Sequence, residues 1–393
     1  MATDTHKNNL RLIIAIMVTG FVAFAALNFI QPILPLMGES YGVPPATAGM
    51  LMSSGMLGVA CMMAGITFFA SGLPRQKTIL FSISVCSLLT VALGIIPNFT
   101  VVLLSRFLEG LCVAFVPVFV LVYLQEELPA DKVPFLSGLY ISGTTIGGLV
   151  GRLMVSGLAE FFSWQSSVIV VGLLLCVLTA MVWFLLPEES KVKQHSSTFD
   201  RKVFSMQNKG LFGLCLIAFC IMGSFVASYN FIPYVLRAAP YYLSQTFVGM
   251  IYLVQISGSL SSGLSGKFSA RWGTVRVIYL ELAVMFLGIF LTMHDSLLLK
   301  LVGMAAINFG FFGAHACAAS WVGSVSIGAK VTSLSVYYFF YYCGASFLGG
   351  AGGYAFEFMG WLGIVILVVC AVLVSALTLY NVYKLQLSRK GSI

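Results

Sequence analysis

Four ionisable side chains lie deep inside apolar stretches of this sequence: Arg106, Glu109, Arg152 and His315. Arg106 and Glu109 are three residues apart. This spacing places both side chains on one face of a helix, where they can form an ion pair. The imidazole of histidine titrates near neutral pH, so His315 can take up and release a proton. The chemistry that these residues predict is the binding of charged groups and the transfer of protons.

The composition places these charges in a membrane. Of the 393 residues, 59% are hydrophobic and 9% are charged, whereas a soluble domain carries about 25% charged residues. So few charges cannot cover a water-facing surface, which excludes a soluble enzyme, a nucleic-acid-binding protein and a disordered protein. We therefore predict an all-α, multi-pass membrane protein that is surrounded by the lipid bilayer and has no nucleic-acid partner.

Twelve apolar runs are long enough to cross a bilayer, which requires about 20 residues. One long polar stretch divides them into two groups of six, which predicts a six-helix bundle over 1–186, a linker over 187–209 and a second six-helix bundle over 210–393. The predicted spans, numbered 1 to 12, are 10–36, 46–71, 78–97, 101–124, 133–159, 165–186, 210–236, 245–268, 275–293, 300–323, 331–356 and 361–383.

The basic residues predict the orientation, because cytoplasmic loops carry an excess of Lys and Arg. If the N-terminus is cytoplasmic, seventeen of the 21 basic residues fall on that side, including Lys191 and Lys193 of the linker. The outer side receives only Arg237 and Lys300. We therefore predict that both termini and the linker are cytoplasmic.

Two short segments recur at nearly the same offset. Asn28-Phe-Ile-Gln31-Pro in span 1 matches Asn230-Phe-Ile-Pro in span 7, 202 residues later, and Glu160-Phe-Phe-Ser-Trp matches Glu357-Phe-Met-Gly-Trp, 197 residues later. Parallel repeats of this kind build transporters whose binding site lies near the midplane between the repeats. The repeat predicts two six-helix bundles related by a pseudo-two-fold axis.

Three motifs make the chain resemble the major facilitator superfamily over essentially its whole length. The segment 104–110 of span 4 resembles that family's motif with a buried arginine. Gly143, Gly147 and Gly148 of span 5 resemble the GPxxGG antiporter motif, with threonine in place of the proline. The loop from Gly266 to Gly273, which contains Arg271, resembles the GxxxDRxGRR signature, with alanine in place of the aspartate.

The segments 138–143 and 222–225 are most similar to the YnfM-like branch of the drug:proton antiporter group within that superfamily. The resemblance implies a transporter of the inner membrane of a bacterium that exports small molecules in exchange for protons. It also implies a monomer that works by alternating access and needs no cofactor.

Polar side chains within the apolar spans are the candidate site residues. Proline beside such residues frees backbone groups, which is tolerated where they line a cavity or meet a neighbouring helix. Glu109 and His315 are the candidates for proton coupling. The candidates for the substrate cavity are Asn28, Gln31, Arg106, Arg152, Tyr229, Asn230, Asn308, His315 and Tyr338.

Each of these features has a structural alternative. Counting residues from the span ends places Arg106, Glu109 and Arg152 at one depth, so we expect two cations around one carboxylate, with a surplus positive charge facing a cavity. The alternative is an ion pair that only holds helices together. His315 could instead be a neutral core histidine bonded to a hydroxyl group, and the glycines of span 5 could pack helices rather than form a sliding contact.

The favoured function is proton-coupled export of small organic molecules by a secondary transporter. The second hypothesis is a carrier, for export or import, of an anionic metabolite such as a carboxylate or siderophore, because Arg106 and Arg152 suit an anion. An intramembrane enzyme is disfavoured, since the sequence has neither an HExxH motif nor paired acids at a membrane face, and we predict no catalytic residue. None of the nine cysteines has CxxC spacing, so no metal site is predicted.

Overall fold

The computed structural model describes residues 2–69, 73–189, 201–205, 208–327 and 329–390, and every regular element in these ranges is helical. Linker residues 190–200, including Lys191 and Lys193, lie outside the described residues. A short 3-10 turn spans Arg201–Phe204.

The spans keep the numbers given above, and their observed bounds follow in chain order. Those of the first half are Ala2–Asn28 with Gln31–Ile33 and Leu34–Tyr41 (span 1), Pro45–Phe69, Arg75–Leu93, Phe99–Glu127, Val133–Phe161 and Trp164–Leu185. Those of the second half are Lys209–Arg237, Gln245–Met250 with Ile251–Gln255 and Ile256–Trp272 (span 8), Thr274–Leu291, Leu297–Val325, Lys330–Cys343 with Gly344–Leu348 and Gly349–Met359 (span 11), and Trp361–Lys390.

The predicted all-helical membrane architecture is confirmed. Within the described residues, eleven helices are long and apolar enough to cross a membrane. The remaining run, predicted as one span over 331–356, is helical but is interrupted by a π-helical turn at Gly344–Leu348. Spans 1 and 8 also contain breaks, the 3-10 turns Gln31–Ile33 and Ile251–Gln255.

The same helix pairs pack in spans 1–6, the first half, and in spans 7–12, the second half. Span 5 lies against span 1, where a Cβ atom added to Gly143 would be 2.2 Å from the carbonyl oxygen of Met17. Span 11 lies against span 7, where a Cβ atom added to Gly344 would be 2.1 Å from the carbonyl oxygen of Phe219. Both pairs therefore need glycine for close backbone approach.

The two halves meet at the end of the molecule remote from the linker, called here the far end. There Arg237 Nη1 donates to Glu39 Oε1 at 3.0 Å, and the backbone N–H of Thr246 donates to Glu160 Oε2 at 2.9 Å. Spans 5 and 8 touch closely, because a Cβ atom on Gly249 would lie 2.4 Å from Ser156 Cβ. The far end is closed by contacts between the halves.

At the other end, called the linker end, some hydrogen bonds of the described residues join residues of the same half. Arg75 bonds Glu126 in the first half, and Asn208 bonds Ile327 in the second. The linker-end parts of spans 5 and 8 carry large exposed side chains, such as Phe135 (63%) and Leu260 (60%). Span 8 packs against span 5 along residues 245–255, whereas Ile256–Trp272 makes few contacts with span 5, so these two spans separate toward the linker end. Spans 2 and 11 stay packed against each other.

Candidate functional site

Arg106 of span 4 is completely buried and is bonded entirely within the first half. Its Nη1 atom contacts a carboxylate oxygen of Glu109, one turn along the same helix. The guanidinium also donates to the backbone carbonyls of Ala26 (3.1 Å), Leu27 (2.5 Å) and Leu51 (3.4 Å). In this conformation Arg106 does not face open space, contrary to the expectation of a cation on a cavity wall.

The break in span 1 explains why an arginine fits here. The first helix of span 1 ends at Asn28, so the carbonyls of its last turn, including those of Ala26 and Leu27, have no N–H group of the same helix to bond and need other donors. Arg106 supplies them to Ala26 and Leu27. Glu109 is also fully buried and accepts a hydrogen bond from Thr90 Oγ1 at 3.3 Å. The Arg106–Glu109 pair therefore holds span 4 against the broken part of span 1.

Arg152 of span 5 has a different environment, although it is also buried. Its Nε atom donates to Gln31 Oε1 at 2.7 Å, and its Nη2 atom donates to Asn28 Oδ1 at 2.9 Å. Its Nη1 atom donates to the carbonyl of Gly148 at 2.7 Å and to Gln255 Oε1 at 3.3 Å. None of the oxygens that bond Arg152 in the described chain belongs to a carboxylate.

The expected group of two cations around Glu109 is therefore wrong. Arg106 bonds Glu109, whereas Arg152 bonds amide and carbonyl oxygens. Counting residues along a helix gives the depth of a side chain but not the direction in which it points. The carboxylate of Glu109 faces span 3, and Arg152 faces the polar side of span 1 and the second half.

The amides around Arg152 connect the two halves. Gln31 Nε2 donates to Asn230 Oδ1 of span 7 at 2.8 Å, and Gln255 reaches Arg152 from the break in span 8. The guanidinium of Arg152 also lies 5.1 Å from the centre of the Tyr252 ring, a cation–π distance. The candidate residues Asn28, Gln31, Arg152 and Asn230 thus form one buried polar cluster, called here the Arg152 cluster together with Tyr252 and Gln255.

Two other cavity candidates are enclosed by the second half. Tyr229 is buried and donates to the carbonyl of Met304 at 3.1 Å. Asn308 is buried and donates to Gln255 O and Ser257 Oγ, each at 3.0 Å. Both brace the broken segment of span 8, because the hydroxyl of Tyr252 in turn donates to the carbonyl of Tyr229 at 2.9 Å.

His315 lies in an aromatic cluster nearer the linker end. Its Nδ1 atom is 3.0 Å from the hydroxyl of Tyr337, and its ring is 4.6 Å from the ring of Tyr341 and 5.9 Å from that of Tyr338. This is the geometry of the structural alternative, a histidine bonded to a hydroxyl group. His315 and Tyr338 are nevertheless half-buried, so both retain contact with open space. The role of His315 in proton coupling stays a prediction.

The glycine motifs occupy two kinds of position. Gly143 and Gly147 allow span 5 to touch the backbone of span 1, and a Cβ atom on Gly148 would lie 3.4 Å from Arg152 Nη1. These glycines pack helices within the first half, whereas Gly249, Gly49 and Gly353 lie at close contacts between the halves. In the loop motif, Gly266 has open space around it, Arg271 lies exposed in the last turn of span 8, and Gly273 has φ +88° at the junction with span 9.

Several residues of this region were not among the sequence candidates: Ser156, Gln245, Gly249, Tyr252 and Gln255. Gln245 Nε2 donates to the carbonyl of Pro32 at 2.8 Å, and Ser156 Oγ donates to the carbonyl of Gln245 at 2.6 Å. A sequence signal existed for Gln255, an amide within an apolar run, whereas Gln245 stands between Ser244 and Thr246 at the polar start of span 8. No local sequence pattern singles out Gly249, whose importance depends on a contact with the other half.

Comparisons with known proteins agree with this architecture. The sequence profile described as Major Facilitator Superfamily matches residues 16–350. The inner membrane transport protein YnfM of Escherichia coli (strain K12) is 34% identical over 362 residues, which cover 90% of this chain and 86% of that protein. A more distant relative, named benzoate transport protein, from Acinetobacter baylyi is 24% identical and covers 78% of this chain and 72% of its own length.

Among solved structures, a bacterial homologue of the human lysosomal transporter Spinster superposes with a TM-score of 0.76. It is 16% identical, and the match covers 95% of this chain and 96% of that chain. The fold is therefore shared with a transporter of very different sequence.

Proposed function

This chain belongs to the major facilitator superfamily, and we propose that it is a proton-coupled secondary transporter that moves small organic molecules by alternating access. The observation that carries the proposal is the asymmetry of its two ends. Contacts between the halves close the far end, and spans 5 and 8 separate toward the linker end. A path between the halves that is open at one end only is what alternating access requires.

We further propose that the linker end faces the cytoplasm of a bacterium, so that this conformation is open to the inside. The excess of Lys and Arg at that end supports the orientation. In this scheme residues 1–186 and 210–393 are the two moving bundles, and one chain suffices because the path lies between its own halves. A cysteine at Ser196, outside the described residues, should react with an impermeant maleimide only from the cytoplasmic side. Reaction from the outside would overturn the orientation.

Glu109 is the proposed proton carrier. Protonation would remove its negative charge and leave Arg106 held only by backbone carbonyls, so proton uptake would loosen the contact between span 4 and the break of span 1. The full burial of both side chains supports this role, because charge changes are energetically large in a membrane interior. His315, half-buried beside Tyr337, is the second candidate.

Export is the direction that the resemblance to drug:proton antiporters favours. A carrier of organic anions, such as carboxylates or siderophores, is the second candidate function. It is favoured by Arg152, a buried cation bonded to neutral oxygens. The name of the relative from Acinetobacter baylyi, a benzoate transport protein, supports the same candidate, since benzoate is a carboxylate.

The test uses purified protein in liposomes that contain a pH-sensitive dye. A proton gradient is imposed, and carboxylates, neutral molecules and lipophilic cations are added one at a time outside. We expect at least one solute to change the lumenal pH faster than in protein-free liposomes, which measure passive entry, and the sign of the change distinguishes antiport from symport. If no solute moves protons, but labelled solute still crosses at the same rate with and without the gradient, proton coupling is wrong.

A further inference from the structure

We propose that Arg152 is the binding point for the carboxylate group of a small organic anion, which replaces amide oxygens of Gln31 and Gln255 around the guanidinium. The inference rests on the proposed function, because it assigns a ligand to the path between the two halves. It also names one side chain as the determinant of the charge of the substrate.

The first argument is the charge balance of the buried arginines. Arg75, Arg106 and Arg152 are the buried arginines of the described chain. Arg75 contacts the carboxylate of Glu126, and Arg106 contacts that of Glu109. Arg152 is bonded to amide and carbonyl oxygens and to the face of an aromatic ring. A buried cation is most stable with an anionic partner. No carboxylate among the described residues bonds Arg152, so a ligand can supply that partner.

The second argument is the presence of unused donors next to Arg152. Among the described residues, the side-chain nitrogens Asn230 Nδ2 and Gln255 Nε2 are buried and have no hydrogen-bond partner. Asn230 is joined to Arg152 through Gln31, and Gln255 contacts Arg152 directly. Buried donors without acceptors are energetically costly. A carboxylate has two oxygens and several lone pairs, so it can accept from the guanidinium and from these amides together.

The third argument is the position of the cluster between the halves. Gln31 and Arg152 belong to the first half, and Asn230 and Gln255 belong to the second. Beyond the cluster, toward the far end, lies the contact between Ser156 and Gln245. An anion that takes the place of Gln255 on Arg152 removes a bond that holds the halves together. By linkage, a ligand that prefers the loosened arrangement shifts the protein toward it.

Binding to the purified full-length protein in lipid nanodiscs tests the inference. The probes are three pairs of similar shape: acetate and acetamide, benzoate and benzamide, succinate and succinamide. We expect at least one carboxylate to bind more tightly than its amide by roughly 10- to 100-fold, which corresponds to the contribution of one hydrogen bond to a charged group. Arg152→Gln should remove that difference, whereas Arg276→Gln, a matched loss of an exposed cation on span 9, should preserve it.

A second variant keeps the test decisive if Arg152→Gln does not fold. Gln31→Glu changes little in shape and places a fixed carboxylate where Gln31 Oε1 now lies, 2.7 Å from Arg152 Nε. Asn230 can then turn its unused Nδ2 atom toward residue 31. The variant should fold, and it should bind the preferred carboxylate at least about tenfold more weakly, because the site is already neutralised.

Two results would overturn the inference: no carboxylate binds better than its amide, or Gln31→Glu and Arg152→Gln leave the preference intact. Either result is distinguishable from failure of the proposed function. If only the inference fails, a transporter of neutral solutes or cations would still move protons in the liposome assay. If the transport proposal fails, the liposome assay would show no coupled transport, and the difference in binding between carboxylate and amide would be unaffected.

Discussion

The two buried arginines on either side of the break in span 1 are bonded in opposite ways. Arg106 reaches the carbonyls of Ala26 and Leu27 and is neutralised by Glu109, all within the first half. Arg152 reaches the side chains of Asn28 and Gln31, the next polar groups along the same segment, and is bonded to the second half through Gln255. Of these two arginines at similar depth, Arg106 thus has a carboxylate partner within its own half. Arg152 bonds neutral oxygens that come from both halves.

The contrast shows how one short segment can respond to two different partners. Residues 26–31 are held by Arg106, whose partner Glu109 is the proposed proton carrier. They are also held by Arg152, the proposed anion-binding residue. A change at either arginine acts on the same broken piece of helix, which lacks the regular hydrogen bonds that would resist it.

The largest effect is expected when Arg106 loses its charge. Arg106→Ala leaves the carboxylate of Glu109 buried with Thr90 as its remaining donor, and breaking a buried pair costs about 3–5 kcal/mol. We expect lost transport and a lower thermal unfolding temperature in detergent. The double change of Arg106 and Glu109 to Met and Gln should restore stability but not uphill transport. Restored uphill transport would mean that the pair is only structural.

Neutralising Glu109 alone should separate transport from coupling. Glu109→Gln keeps the size of the side chain but removes the titrating group, so we expect loss of pH-gradient-driven uptake in liposomes with retention of solute exchange. His315→Gln should reduce uptake less, because its bond to Tyr337 can be replaced by an amide. Uphill transport by Glu109→Gln at the normal rate would make His315 the leading candidate.

A smaller effect is expected at the contact between spans 5 and 8. The Cβ atom of Gly249→Ala would lie 2.4 Å from Ser156 Cβ, and overpacking costs about 1–3 kcal/mol. This cost applies only while the far end is closed, so Gly249→Ala should favour the conformation in which the far end is open. A cysteine at Ser53, between the halves, should then react faster with an impermeant maleimide added at the far side. Gly263→Ala on the same span has no neighbour within 4 Å and serves as the control. Equal reactivity in both variants would show that this contact does not close the far end.

The smallest effect is expected at the ion pair between Arg237 and Glu39. Both side chains are partly exposed, at 28% and 66%, and such pairs contribute about 1 kcal/mol or less. Arg237→Gln should therefore leave the transport rate within about fivefold of the original in physiological salt, since 1.4 kcal/mol corresponds to tenfold. A loss of transport as large as that of Arg106→Ala would mean that this surface ion pair is the main contact that closes the far end.

The number and position of the spans could be predicted from the sequence because bilayer thickness and backbone hydrogen bonding leave few choices. Span 4, expected over 101–124, is Phe99–Glu127, and span 9, expected over 275–293, is Thr274–Leu291. The π turn in span 11 could not be predicted. It arises where Gly344 packs on the backbone of span 7, a tertiary contact without a local pattern.

The polar residues of the candidate site were predictable one by one, but their partners were not. Asn28, Gln31 and Asn230 stood out as amides beside prolines, and the ion pair of Arg106 with Glu109 followed from helical spacing. The bonds from Arg152 to Gln31 and to Gln255 join residues more than 100 positions apart. Such contacts depend on the rotation of each helix about its axis, which apolar runs of this kind leave undetermined.

The most direct test of the central claim is a pair of distances measured by spin labels in one protein preparation. Labels at Phe162 and Phe247 report the far end, and labels at Phe135 and Phe268 report the linker end, after replacement of the nine native cysteines. On addition of the carboxylate that binds most tightly in the nanodisc measurement, we expect the far-end distance to lengthen as the linker-end distance shortens, and Gln31→Glu should not respond. Two distances that lengthen together, or that stay unchanged in both proteins, would contradict alternating access controlled by an anion at Arg152.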